Sequence, residues 1–381
     1  MSADQTWQSV SLEAVAQIVN GGTPRSDVAE YWDGDVQWLT PKDMGQMRSR
    51  EIASTPRTLT QAGLQNSSAR QVPENSIILS TRAPIGHLAI NKQPMAFNQG
   101  CRGIVPGDHL DHHFLYYFLL ANRTELDELG TGATFKELST GALRSFEIPL
   151  PPLDEQTRIV AKLDQAFVAL DRARANAEAN LEAAAKLPET WLQELFEGSE
   201  AWPTHTLADL CENLDRLRVP ITKSDREPGD IPYYGASGVV DHVKGHLFDE
   251  DLLLVSEDGA NLLARTYPIA FSISGKAWVN NHAHVLRFSD STTQEFVRLY
   301  LNSISLKPYV TGMAQPKLNQ AALNGIPVPM PAVDVRAEIV RKAHQISAEA
   351  ARAADNYIAQ SADIAALRQS MLQAAFSGQL T

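Results

Sequence analysis

Apolar residues recur every seven positions along two stretches of this chain. In the first, Leu163, Leu170, Ala177, Ala184 and Trp191 form one series and Ala166, Ala173, Asn180, Leu187 and Glu194 another. In the second, Ala343, Ala350, Tyr357, Ile364 and Met371 alternate with Ile346, Ala353, Gln360, Leu367 and Ala374. Paired series of this period predict two long helices packed along a seam, closely where the seam is alanine. Asn180 and Gln360 share one seam position, where a polar residue fixes register and orientation. Prolines lead into each stretch, and Asp154 and Asp334 behind them are prospective N-caps. Pro188 predicts a break or kink near Leu187, leaving a first helix of about 51 Å from Asp154, whereas Arg368 lets the second continue.

The two stretches are copies. Sliding the sequence so that Pro149 meets Pro329 also brings Pro151, Asp154, Ile159-Val160 and Lys162 onto Pro331, Asp334, Ile339-Val340 and Lys342. Farther on, Leu187, Leu192, Gln193, Phe196 and Gly198 meet Leu367, Leu372, Gln373, Phe376 and Gly378. Upstream, Thr131-Gly132, Leu138 and Leu143 meet Thr311-Gly312, Leu318 and Leu323. With two residues more of offset, Asn98, Phe114 and Leu119 fall on Asn280, Phe296 and Leu301. A period this long excludes a solenoid and implies a pseudo-dimer in one chain: globular segments 1–147 and 201–326, each followed by a helical segment, 148–200 and 327–381.

Within the globular segments the pattern is of short strands and tight turns. Val36 to Thr40, Ser76 to Ser80, His87 to Ile90, Leu252 to Ser256 and Trp278 to Leu286 read as strands, and His113 to Leu120 and Phe296 to Ile304 as buried helices. The fold class is therefore α+β: two mixed α/β domains separated by a pair of long helices forming an antiparallel coiled coil, with an internal pseudo-two-fold repeat. Such a pair is a spacer of defined length; a helical hairpin that merely joins two domains has the same geometry.

Composition narrows the function by exclusion. The formal charge of −12 divides by segment as −4, −5, −3 and 0, so neither globular segment is a basic domain. Any nucleic-acid site must be a local patch, with a partner supplying phosphate affinity. No apolar run is long enough for a bilayer, the start MSADQTWQSV has no signal-peptide character, and Cys101 and Cys211 lie far apart, so a cytoplasmic protein with reduced thiols is expected. There is no phosphate-binding P-loop, dinucleotide fingerprint or amino-methyltransferase motif. His109, His112 and His113 with Asp108 and Asp111 read better as a solvated helix start than as a metal site, and His282 with His284 as a polar surface without a third ligand.

Pro149-Leu150-Pro151-Pro152-Leu153-Asp154-Glu155-Gln156, running into Arg158-Ile159-Val160 and ending at Leu192-Gln193 and Phe196-x-Gly198, closely resembles the helical conserved region of specificity subunits of type I restriction–modification systems. Met371 to Leu380 is similar to their second conserved region, and Thr311-Gly312-Met313-Ala314-Gln315-Pro316-Lys317-Leu318-Asn319 to the end of a target recognition domain. Trp38 to Asp43, Ser80 to Gly86 and Phe97 to Gly100 share the likeness; Val335-Arg336 departs from the Glu-Gln pair of the first copy.

The resemblance implies that segments 1–147 and 201–326 are target recognition domains, each reading half of a bipartite, asymmetric site in double-stranded DNA. Segments 148–200 and 327–381 would be the conserved helical regions that separate them. It further implies a non-catalytic subunit without cofactor or metal that directs adenine methylation through two methylation subunits, and restriction through translocating nuclease subunits. A DNA turn of about 34–36 Å is within reach of such helices.

Base readout needs polar side chains on exposed loops. The candidates are Thr40, Lys42, Ser80, Arg82, Asn98, Gln99, Arg102 and Lys136 in the first domain. In the second they are Tyr234, Ser237, Ser256, Asn261, Asn280, Asn281, His282, Gln315 and Lys317. The rival is a coiled-coil adaptor joining two protein-interaction domains without touching DNA.

Overall fold

The computed structural model describes residues 7–132, 136–312 and 315–379, which leaves Met313-Ala314 and Leu380 of the motifs above outside it. The chain divides into two compact units, residues 1–176 with 360–381, and residues 177–359. Each unit takes part of both long helices, Leu153–Glu197 and Val333–Phe376, of 45 and 44 residues or about 68 and 66 Å.

In the first unit the start of the first helix (Ile159, Leu163, Phe167) shares a core with the end of the second (Leu372, Ala375). In the other unit the end of the first helix (Trp191, Leu195, Phe196) shares a core with the start of the second (Ile339, Val340). The two helices therefore pair antiparallel.

Three helical expectations need correction. Both helices start two residues early, so Asp154 and Asp334 lie inside the first turn, where a carboxylate favours the exposed N–H groups without capping them. Pro188 does not end the first helix. A proline removes one N–H and crowds the carbonyl four residues back, but Trp191, Leu195 and Phe196 beyond it are anchored in the second unit's core, which carries the helix past the lost bond. The seam also has a different second edge. Leu163, Ala177 and Ala184 are buried, but Ala173 and Asn180 are exposed, and the neighbouring buried or half-buried series is Val160, Phe167, Leu181, Pro188 and Leu195. Gln360 is exposed as well, so the matched polar pair lies off the seam.

In the first unit a five-stranded sheet runs in the order Ala16–Asn20, Cys101–Pro106, Ile77–Thr81, Ile85–Asn91, Glu51–Ile52. A four-stranded sheet runs Thr58–Leu59, Trp32–Leu39, Met95–Phe97, Gln71–Val72, its middle pair parallel with Leu39 opposite Phe97. Ser9–Ser11 pairs with Glu147–Pro149, closing the domain's ends on each other.

The second unit repeats the plan. One sheet runs Cys211–Asn213, Ala283–Phe288, Leu252–Ser256, Ala270–Ile273. The other runs Gly238–Val243, Pro228–Gly235, Lys276–Val279, Phe248–Asp249, with Tyr234 opposite Val279 in its parallel pair. Thr204–Thr206 closes on Pro327–Pro329. The predicted strand from Trp278 to Leu286 is two strands divided by a turn at Asn280.

A capped helix covers each core: His112–Ala121 with Asp111 accepting from Phe114 N, and Ser291–Ser303 with Asp290 accepting from Thr293 N. Each receives the end of a long helix. The Phe376 ring lies 5.1 Å from Phe114 and 5.4 Å from Phe118, and the Phe196 ring 5.6 Å from Phe296 and 5.0 Å from Tyr300.

Candidate nucleic-acid interface

The parallel strand pair sets up the same turn in both units. Past Phe97, Asn98 N donates to Leu39 O at 2.9 Å, and Asn98 Oδ1 accepts from Gly100 N at 2.7 Å. Past Val279, Asn280 N donates to Tyr234 O at 3.0 Å, and Asn280 Oδ1 accepts from His282 N at 2.8 Å. The turn's last carbonyl binds the neighbouring strand end, Thr81 N on Gly100 O at 2.8 Å and Glu257 N on His282 O at 2.9 Å. That strand end in turn accepts from Leu138 N and Leu318 N, which follow the bridged pairs Thr131–Glu137 and Thr311–Lys317.

Around the first turn the structure gathers Arg82, Asn98, Gln99 and Arg102. A Cβ on Gly100 would stand 3.1 Å from Arg82 Nε, so the guanidinium lies across the turn. Arg102 is spent on the scaffold, with Nε on Thr140 Oγ1 at 2.9 Å and Nη1 on the Gln99 and Cys101 carbonyls at 3.0 Å. Gln99 is exposed and touches Thr23. Lys136 is exposed beside Asp127 at 2.6 Å. Thr40 is the cap of helix Pro41–Gly45 in a capping box with Asp43, and Lys42 on that helix is exposed without a hydrogen bond among the described residues.

Around the second turn are Tyr234, Asn280, Asn281, His282 and Lys317. Asn281 is exposed, as are Ser237 in the adjoining hairpin and Gln315, and none of the three side chains has a hydrogen-bond partner among the described residues. His282 Nδ1 meets Asp258 at 2.8 Å, and Lys317 Nζ meets Glu257 at 3.2 Å.

Three candidates lie elsewhere. Ser80 and Ser256 are completely buried, their hydroxyls bound to the Pro84 and Ala236 carbonyls. Asn261 closes its own loop on Thr266 and Tyr267.

Where Arg102 stands in the first unit, the second has His284, buried, with Nδ1 2.6 Å from Asp215 and Nε2 2.7 Å from Leu318 O. Asp215 is pushed up by burial, but bonds from His284 and Val285 N and the charge of Arg218 outweigh this and hold it below the ordinary range. Asp215, Glu257 and His284 place potential metal-ligand atoms within 4.8 Å of one another, yet Arg218 already bridges the two carboxylates at 3.4 and 2.6 Å. This is a charge network around a resident guanidinium. Burial pushes the Cys101 and Cys211 thiols up to about 12, so neither is a nucleophile at neutral pH.

Sequence reasoning missed Thr23, Glu137 and Arg57, whose guanidinium sits 3.9 Å over the Trp32 ring and 5.1 Å from Trp38. Thr23 meets Gln99, Glu137 meets Arg82 and Arg102 at 3.9 and 3.5 Å, and each of these partners is distant in sequence, so no local signal marked them.

Residues 4–181 and 199–354 match the type I restriction modification DNA specificity domain, and the chain belongs to that family. Among its relatives is the type I restriction enzyme MjaIX specificity subunit of Methanocaldococcus jannaschii, 26% identical over 320 residues, covering 80% of this chain and 74% of the relative. The EcoprrI specificity subunit of Escherichia coli is 24% identical over 342 residues, covering 85% and 83%. The fold is shared with the HsdS subunit from Thermoanaerobacter tengcongensis, with a TM-score of 0.67 at 18% identity over 100% of this chain and 99% of that one. A chain from a type I restriction–modification assembly superposes at TM-score 0.73 and 17% identity, with 100% of both covered. Among the described residues no helix is long and apolar enough to cross a membrane.

Proposed function

We propose that the chain is the non-catalytic subunit that recognises a bipartite, asymmetric DNA sequence and directs adenine methylation by two methylation subunits, with restriction when nuclease subunits join. The observation that carries the reading is the duplicated turn at Asn98 and Asn280, one scaffold in each unit surrounded by different side chains. Two like frames with unlike faces suit a split site with unlike halves.

The segment boundaries at 147, 200 and 326 are part of this proposal. Lys42, Arg82, Gln99 and Lys136 contact DNA in the first unit, and Ser237, Asn281, His282, Gln315 and Lys317 in the second. Thr40, Ser80, Arg102, Ser256 and Asn261 shape the loops that present them. Arg82 suits the O6 and N7 acceptors of guanine. The net charge of −12 leaves much of the phosphate contact to the methylation subunits.

Mapping methylated adenines in cells that express the chain with its methylation subunits tests the reading. One split, asymmetric motif is expected; a contiguous motif or none overturns it. An adaptor that only joins protein-binding domains would give no salt-dependent retardation of duplex DNA by the complex.

A further inference from the structure

The second unit carries two adjacent valines that ordinary strand alternation cannot explain. Val239 and Val240 are 48% and 55% exposed. They lie on Gly238–Val243, an edge strand of its sheet. Successive strand residues point to opposite faces, and exposed edges are usually guarded by charge. Here Tyr234 pairs with Val239 and Tyr233 with Asp241, which leaves Val240 as the extra residue of a bulge. Bulges re-aim side chains.

The bulge aims Val240 over Gly235. A Cβ on Gly235 would stand 3.0 Å from Val240 Cγ1 and 3.4 Å from Asn280 Nδ2, so the valine methyls and the amide group flank the same bare stretch of backbone. The orientation of that amide is fixed: Oδ1 accepts from His282 N, which turns Nδ2 the other way. Asn280 is only 6% exposed, and Nδ2 has no partner among the described residues, so a donor in a nearly closed site is left for an acceptor from outside the chain. The result is a hydrogen-bond donor beside a small apolar surface at the turn of the hairpin formed by Pro228–Gly235 and Gly238–Val243, on the edge of its four-stranded sheet.

The major groove admits the end of a hairpin, and of the four bases only thymine presents there an acceptor, O4, next to an apolar group, the C5 methyl. Cytosine offers a donor in place of O4, and the purines have no methyl. We propose that Asn280 and Val240 together read a thymine in the half-site bound by the second unit, Nδ2 donating to O4 and Val240 covering the methyl. This deepens the DNA-recognition reading and rests on it. The first unit has the matching asparagine, Asn98, but Arg82 lies across its turn, so its face selects a different base.

The test uses the full chain assembled with its methylation subunits and duplexes carrying the mapped site. Each thymine in turn is replaced by deoxyuridine, which removes only the C5 methyl. At one thymine of one half-site, binding weakens about fourfold, the worth of one buried methyl. In Val240→Ala the complex binds the thymine and deoxyuridine duplexes alike at that position, while Val239→Ala still discriminates. Indifference of the wild type to every deoxyuridine, or discrimination that survives Val240→Ala, overturns the proposal while leaving DNA recognition intact. A complex that binds no duplex overturns both.

Discussion

Asn280 holds in the second unit the place that Asn98 holds in the first, each accepting through Oδ1 from the amide two residues on, at 2.8 and 2.7 Å. The bond keeps the loop over the end of the parallel strand pair, so its loss is local to one unit. Asn98→Ala is expected to cost about 1 kcal/mol, or 2–4 °C in the melting of a unit this size. In methylome maps of that variant, the half-site read by the first unit should relax while the other stays unchanged. Relaxation of both halves together would contradict independent readers.

Asp215 gives the second unit an acid-sensitive point. Its side chain meets His284, which is buried, at 2.6 Å and the half-buried Arg218 at 3.4 Å. Asp215→Ala removes the acceptor of His284 Nδ1 and of Val285 N while Arg218 keeps Glu257 at 2.6 Å, so a loss of about 1–3 kcal/mol is expected in urea unfolding at neutral pH. The folded carboxyl titrates below its ordinary value of 3.8. Its stabilisation is therefore complete above that value and is lost as the pH falls through the depressed one. Below about pH 4 the wild type should lose stability more steeply than Asp215→Ala; parallel acid limbs would remove Asp215 as the cause.

The ends of the long helices should act as separate anchors. Phe376 packs against Phe114 and Phe118 in the first unit, and Phe196 against Phe296 and Tyr300 in the second. Both rings are only partly buried, so truncation to alanine is expected to cost about 2–3 kcal/mol, below the range for a fully buried phenylalanine. Hydrogen exchange should show Phe376→Ala loosening helix His112–Ala121 and leaving Ser291–Ser303 protected, with the converse for Phe196→Ala.

What was legible in the sequence follows from how far each signal repeats. A period held over five heptads and duplicated in the chain identified both helices, and the same offset paired Phe114 with Phe296 and Asn98 with Asn280. The seam's second edge was misplaced because Arg174 and Pro188 interrupt the series Val160, Phe167, Leu181 and Leu195, while Ala166, Ala173 and Leu187 keep the neighbouring series apolar at three of its five positions. Ser80 and Ser256 looked like loop groups because a serine at a strand end does not announce that a carbonyl already holds its hydroxyl. Gathering Arg82, Gln99 and Thr23 requires parallel pairing of strands distant in sequence, which no local pattern encodes.

If the helices set the gap between half-sites, lengthening them must lengthen the gap. Because they pair antiparallel, the insertion has to be made in both, seven residues after Asn176 and seven after Ala359, where the compact units divide. A heptad adds about 10.5 Å and nearly preserves the face of each helix. At about 3.4 Å per base pair this is three base pairs. The methylated motif is expected to keep both half-sites and gain about three base pairs between them. An insertion in the first helix alone displaces the seat of either Phe196 or Phe376 and should abolish methylation. An active double insertion with an unchanged gap would mean that the helices join the units without measuring the distance between them.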